Sequence, residues 1–255
     1  RDIWKRTTEK DALIGVSMTG IASGKVLKLD LEAATKVVIA ENIRVADIIG
    51  VNHAARTTCI KPAGTTSIVL GSSSGIHAWH SPYYIRRIRV GKNEAMYKYL
   101  AENNPELLED EFFNPTQQAV ISVPVEAPSG AIFRNETSLE LLERIKKFST
   151  EWVKTGHIKG ENTHNVSATV SVKDDEWEEV GNWMWENREC YNGLSVLPYS
   201  GGTYKQAPFE SISKEEYYKL VKNLRSIDLK NVVELSDETE LSDNLACSGD
   251  SCEVF

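Results

Sequence analysis

The stretch Lys61-Pro62-Ala63-Gly64-Thr65-Thr66-Ser67 gathers three adjacent hydroxyls, a glycine and a lysine within seven residues. It follows the β-rich Arg56-Thr57-Thr58-Cys59-Ile60 and leads into the apolar Ile68-Val69-Leu70. Such a set of donors suits an anion. If the chain enters a helix here, its first N–H groups have no partner inside the helix. Together with the positive end of the helix dipole they suit a phosphate, and the small side chains let it approach the backbone closely. The competing reading is a threonine/serine helix cap after a strand, with proline setting the turn. The spacing is not that of a P-loop, because no Gly-Lys-Ser/Thr ending follows a four-residue gap.

A second set lies at the other end of the chain. Cys247 and Cys252 are separated by Ser, Gly, Asp and Ser, so they can close a small ring. On a mobile segment, two such thiols can visit a buried site, exchange with a disulfide there and be re-reduced outside. The alternatives are two inert thiols or a metal site, and two thiolates alone do not complete a tetrahedral zinc site. His77 and His80 flank Trp79, with no carboxylate or thiolate nearby in sequence to make a metal site of them. Cys59 and Cys190 read as buried structural thiols. No metal site is assigned, and no Ser-His-Asp arrangement or nucleotide-type Gly-x-Gly-x-x-Gly stands out.

The elements that must hold these residues alternate. Residues 12–22 read as a buried strand and turn. Asp30 caps a helix carrying Leu31, Ala34, Val38, Val45 and Ile48. Strands are expected at 56–60, 85–90 and 119–123, with a helix over 93–102 stopped by Asn103-Asn104-Pro105. Thr137 and Glu140 form a capping box for a helix with Leu141, Leu142, Ile145, Phe148 and Trp152 on one face. A strand at 164–172 comes next. Asp174 then caps a helix with Trp177, Val180 and Met184. A strand over 193–198 precedes a second capping box, Ser213 and Glu216. The alternation favours a largely parallel α/β sheet or barrel.

The bulk composition narrows the classes. A chain of 255 residues with 41% hydrophobic and 26% charged residues can bury a sizeable core. A net charge of −8 argues against a sequence-independent grip on nucleic acid. No run approaches the length of a membrane span, and the first residues do not resemble a signal peptide. Four cysteines read as free thiols of a reducing cytoplasm. The absence of an initiating Met is expected of a fragment or a processed product. Residues 234–255, with acids at Glu234, Asp237, Glu238, Glu240 and Asp243, read as a flexible acidic tail carrying the Cys pair. Residues 1–233 then form the folded domain.

Taken together these motifs resemble a known family. The segment 56–67 is similar to the Lys-Pro-Ser-Gly-Thr-type stretch of ribonucleotide reductase large chains. Gly75-Ile76-His77 and Tyr83-Tyr84-Ile85-Arg86-Arg87-Ile88-Arg89 are similar to the residues that come after that stretch in the adenosylcobalamin-dependent (class II) branch. Gly15-Val16-Ser17-Met18-Thr19-Gly20, Asn42-Ile43-Arg44-Val45-Ala46-Asp47, Leu197-Pro198-Tyr199-Ser200-Gly201-Gly202-Thr203-Tyr204 and the terminal Cys-x4-Cys agree in order and spacing. The likeness is to the monomeric, triphosphate-using type, represented by its C-terminal part.

The resemblance implies the C-terminal part of a ten-stranded α/β barrel with a flexible tail. It also implies adenosylcobalamin as cofactor and a ribonucleotide substrate reduced by thiyl-radical chemistry. Ala63, Gly64, Thr65, Thr66 and Ser67 would hold the substrate phosphates through backbone amides and hydroxyls. Cys247 and Cys252 would reduce the active-site disulfide and be recycled by thioredoxin or a similar protein. The family's radical cysteine and both active-site reducing cysteines align before residue 1, and Cys59 matches none of them. The chain is thus expected to need its N-terminal portion. Two alternatives stand beside this reading. One is a fragment of the class I branch, disfavoured because Tyr217-Tyr218 read as packing residues. The other is a non-catalytic phosphate-binding module with a redox-sensing tail.

Overall fold

The computed structural model of the protein describes residues 1–199 and 204–234, except for the side chains of Thr65 and Ile68. In chain order the elements begin with α1 (Asp2–Asp11), α2 (Leu31–Ile49), α3 (Gly64–Val69), β1 (Tyr83–Gly91) and α4 (Ala95–Asn103). Next come β2 (Leu108–Asp110), β3 (Gln118–Glu126), α5 (Ser138–Phe148) and a π-helical turn, Ser149–Val153. The last are β4 (Thr169–Val172), α6 (Trp177–Glu186), β5 (Ser195–Pro198), β6 (Phe209–Ser211) and α7 (Lys214–Asn223). They form two compact units, one of Arg1–Trp79 with 129–199, the other of His80–Pro128 with 204–234.

The core of the first unit is built on α5. Its capping box forms as expected, the Thr137 side chain accepting from Glu140 N–H while Glu140 accepts from Thr137 N–H at 2.7 Å. The helical spacing then puts Leu142, Ile145 and Phe148 fully inside, with Leu141 and Trp152 nearly so. Each such side chain contributes about 1.5–3 kcal/mol by leaving water. The turn after Phe148 widens, and Lys154 N–H reaches back five residues to Ser149 O.

Against this core lie four extended segments running the same way. Val16 pairs with Thr58, Ile60 with Val166, and β4 with β5, all parallel. The expected strand at 56–60 is present only as isolated bridges, because its groups are spent elsewhere. Thr57 N–H and hydroxyl both donate to Gly156 O at 3.0 Å. Thr58 Oγ1 donates to Trp152 O at 2.6 Å, and Trp152 Nε1–H returns a bond to Cys59 O. The segment hangs from the π-helical turn instead of joining a full ladder.

The second unit carries an antiparallel sheet of order β2-β3-β1-β6, where a largely parallel sheet was expected. The alternation of Ile85 and Ile88 with arginines suits such a sheet, which can leave one face wet. Arg87 bonds to Glu109 and Glu210, and Arg89 to Glu111. Helices α4 and α7 pack on β1 and β3, with Tyr83 tilted against Tyr217 at 5.1 Å.

Two helix starts differ from expectation. The N-cap of α6 is Glu176, not Asp174, because the Glu176 carboxylate takes Lys173 N–H and the Ser138 hydroxyl. At α7 Ser213 accepts Glu216 N–H, so the box is half formed among the described residues. Helix α1, with no buried residue and no side-chain cap, carries no sequence pattern that announces it.

Candidate functional site

The segment 61–67 leaves the carboxyl end of the extended stretch 56–60, on the edge where ligands of parallel sheets gather. Pro62 and Ala63 turn the chain, and α3 begins at Gly64. Ser67 N–H makes the first bond back, to Ala63 O at 2.8 Å. The N–H groups of Gly64, Thr65 and Thr66 therefore have no acceptor within the helix. Thr66 is exposed, whereas Ser67 is buried and its hydroxyl donates to Gly64 O.

Three hydroxyls outside the segment fix its course. Ser17 Oγ accepts Lys61 N–H at 2.9 Å, and Ser74 Oγ accepts Ala63 N–H at 3.0 Å. Thr19 Oγ1 accepts Gly75 N–H and donates to Ser73 O, both at 2.9 Å. Gly75 has φ +52°, and a Cβ there would lie 2.8 Å from Lys61 O. Only glycine lets the two strands of the loop touch so closely.

His77 ties this loop to the sheet. Its Nε2 accepts Thr169 N–H of β4 at 3.0 Å, so the proton sits on Nδ1, which faces Ser74 O at 3.2 Å. A chain of bonds thus runs from β4 through His77 and Ser74 to Ala63. Behind it, Arg144 grips Glu136 through two bonds of 2.7 and 2.8 Å and donates to Ile76 O. His77 is in this way a hydrogen-bonding residue of the loop. Ser17 and Thr19 lie within the Gly15–Gly20 motif of the resemblance, which gives them no role, and the run of serines in Gly71-Ser72-Ser73-Ser74-Gly75 is the only signal of Ser74 in the sequence.

Cys59, beside the loop, is a free thiol with 8% exposure. Burial pushes its pKa up, against a smaller pull from Lys61. It packs on Gly15, where a Cβ would come within 3.0 Å of its Sγ. This environment makes a packing thiol, not a nucleophile. Cys247, Cys252 and the loop at 200–203 lie outside the described residues.

No family model matches the chain. Its sequence is similar to the adenosylcobalamin-dependent ribonucleoside-triphosphate reductase of Euglena gracilis, at 25% identity over 98% of this chain and 35% of that protein. The reductase of the same name from Lactobacillus leichmannii is 26% identical over 86% of this chain and 29% of its own length. The chain resembles the adenosylcobalamin-dependent ribonucleotide reductases. In fold it is similar to a crystal structure of a B12-dependent (class II) ribonucleotide reductase, with TM-score 0.73 and 22% identity over 89% of this chain and 35% of that one. It spans about a third of the length of the curated reductases it matches. The mixed α/β architecture agrees with that likeness. Among the described residues, no helix is long and apolar enough to cross a membrane.

Proposed function

We propose that the chain is the C-terminal part of an adenosylcobalamin-dependent ribonucleoside-triphosphate reductase, and that Ala63–Ser67 is its substrate-phosphate segment. The observation that carries this is similarity to such reductases over 98% of the chain, with first-turn amides that meet no acceptor among the described residues at the motif that the resemblance singles out. Gly64, Thr65 and Thr66 offer N–H groups to the phosphate, and Thr66 adds a hydroxyl. Ala63 and Ser67, whose N–H groups are bonded within the protein, hold the turn in shape. Cys247 and Cys252 act as a dithiol that reduces the active-site disulfide and is restored by thioredoxin or a similar reductant. The radical chemistry belongs to the N-terminal portion of the reductase, which also completes a ten-stranded barrel.

Apolar side chains at the edge of the parallel array support that last point. Leu13, Ile14 and Val16 are 49%, 37% and 39% exposed, whereas parallel strands are ordinarily covered on both faces. Adenosylcobalamin brings its own cobalt ligands and needs a docking face, not a protein-made metal cage. No residue of this chain is assigned to the cofactor, and no step is routed through it.

The test joins the chain to its natural upstream sequence and measures deoxyribonucleotide formation with adenosylcobalamin. A product that forms equally well without the cofactor would sink the class II reading. Cys247→Ser should abolish turnover driven by thioredoxin while sparing turnover driven by a small dithiol. Equal loss of both refutes the shuttle.

A further inference from the structure

The four basic side chains on and just beyond β1 do not share one fate. Arg87 bonds to Glu109 and Glu210 at 3.1 and 2.6 Å, Arg89 to Glu111, and Lys92 to Asp110. Arg86 is the most deeply buried of the four, at 8% exposure, and among the described residues it has no carboxylate partner. Its only hydrogen bond there is a long one, 3.4 Å from Nη1 to Pro208 O, whose oxygen already accepts Arg87 N–H at 2.8 Å. Its Nε has no partner among them.

The surroundings are shaped around that guanidinium. Phe209, its register partner on β6, covers one face at 4.2 Å. His80 stacks on the same ring at 5.3 Å and meets the Ser211 hydroxyl through Nε2 at 3.2 Å. Tyr84, two residues along the same face of β1, is buried, and desolvation lifts its phenol to about 12, so it carries no charge to offer. The same burial pulls Arg86 down to about 10. A buried charge without a counter-ion is strongly unfavourable. Phe209 occupies one face, and Nε is unpartnered but closed to solvent, so an anion that takes this edge, a fork matched to two oxygens, displaces the groups now lying against it.

We propose that Arg86 is a binding site for an oxyanion, a carboxylate or a phosphoryl group, received edge-on while Phe209 holds the guanidinium flat. The site is made wholly of second-unit residues and does not depend on the reductase reading.

The experiment compares wild type, Arg86→Met, Arg86→Lys and Arg87→Met in the full-length polypeptide that carries this chain. Melting is followed in buffer free of multivalent anions, with and without millimolar inorganic phosphate. A small phosphorylated or carboxylated ligand predicts that phosphate raises the melting temperature of wild type by several degrees and leaves Arg86→Met unmoved. A carboxylate supplied by the same polypeptide predicts no phosphate response. In that case Arg86→Met should melt as far below wild type as Arg87→Met, which loses two visible carboxylate partners. Any smaller loss without a phosphate response overturns the proposal, as does a phosphate response that Arg86→Met keeps. If Arg86→Met does not fold, Arg86→Lys decides. Lysine keeps the charge but not the fork, so a phosphate response or stability equal to wild type overturns the site.

Discussion

At the scale of single residues, the loop at 61–67 is defined by atoms that are not in it. Ser74→Ala would leave Ala63 N–H without its acceptor, at a cost of about 1–3 kcal/mol if the group stays buried. In the joined reductase the expected result is a several-fold rise in the KM for the ribonucleotide with kcat little changed, read from steady-state kinetics. An unchanged KM would remove Ser74 from the positioning of the loop. Gly75→Ala is harsher. The positive φ alone disfavours a side chain, and the new Cβ would press on Lys61 O and Pro62 Cα. A loss of about 1–3 kcal/mol in denaturant titration, with a larger rise in KM than for Ser74→Ala, is the expected outcome. The donors of the loop were legible in the sequence, because hydroxyls, glycine and proline announce themselves by type. Their restraints were not. Ser74 is one of three identical neighbours, and only the fold of the turn decides which of them faces Ala63.

At the scale of elements, Glu176 joins three pieces. Its carboxylate receives the Ser138 hydroxyl at 2.6 Å, Ser138 N–H and Lys173 N–H, linking the start of α5, the end of β4 and the start of α6. Burial raises its pKa, but the bonds from Ser138 and Lys173 outweigh it, and the net shift is below the ordinary 4.5. A folded-state pKa below the unfolded one contributes stability that is whole above the unfolded value. It fades as pH falls through the folded value. Glu176→Gln should therefore narrow the gap in stability between neutral and acid pH, measured by denaturant titration from pH 7 to below 4. A variant whose stability falls with acid as steeply as wild type would refute the assignment. Here the sequence was a good guide where a rule is local. The Thr137/Glu140 box and the apolar stripe of α5 needed nothing beyond helix geometry. Asp174 misled because aspartate is by type the better cap, and Glu176 took the position through a bond to Ser138, 38 residues away. The three-residue strands β2 and β6 are too short to show any period, so the antiparallel sheet was hidden.

At the scale of the whole molecule, Leu13, Ile14 and Val16 at the edge of the parallel array are exposed, as are Ile48 and Ile49 of α2; on the proposed reading the upstream portion covers that edge. Amide hydrogen exchange offers the measurement. The amides of Leu13 and Gly15, which meet no acceptor among the described residues, should exchange rapidly in the 255-residue chain and gain protection when the upstream sequence is joined, while Val16 N–H, bonded to Thr57 O, and the amides of α5 are protected in both. Equal exchange at Leu13 and Gly15 in the two forms would mean that nothing pairs with this edge.

The suspension of residues 56–60 from the π-helical turn has a consequence for the order of events on the ribosome. Thr58 is translated 94 residues before Trp152, whose carbonyl it needs. At typical synthesis rates of about 5–20 residues per second, that wait is on the order of 5–20 s. During it, residues 56–60 have the earlier stretch 11–16 to lean on, where Arg56 meets Asp11 and Cys59 N–H meets Val16 O. The β1–β3 pair, in contrast, closes within one continuous stretch of nascent chain. The second unit can set its central strands first, and the phosphate-like loop, translated earlier, is locked in place later.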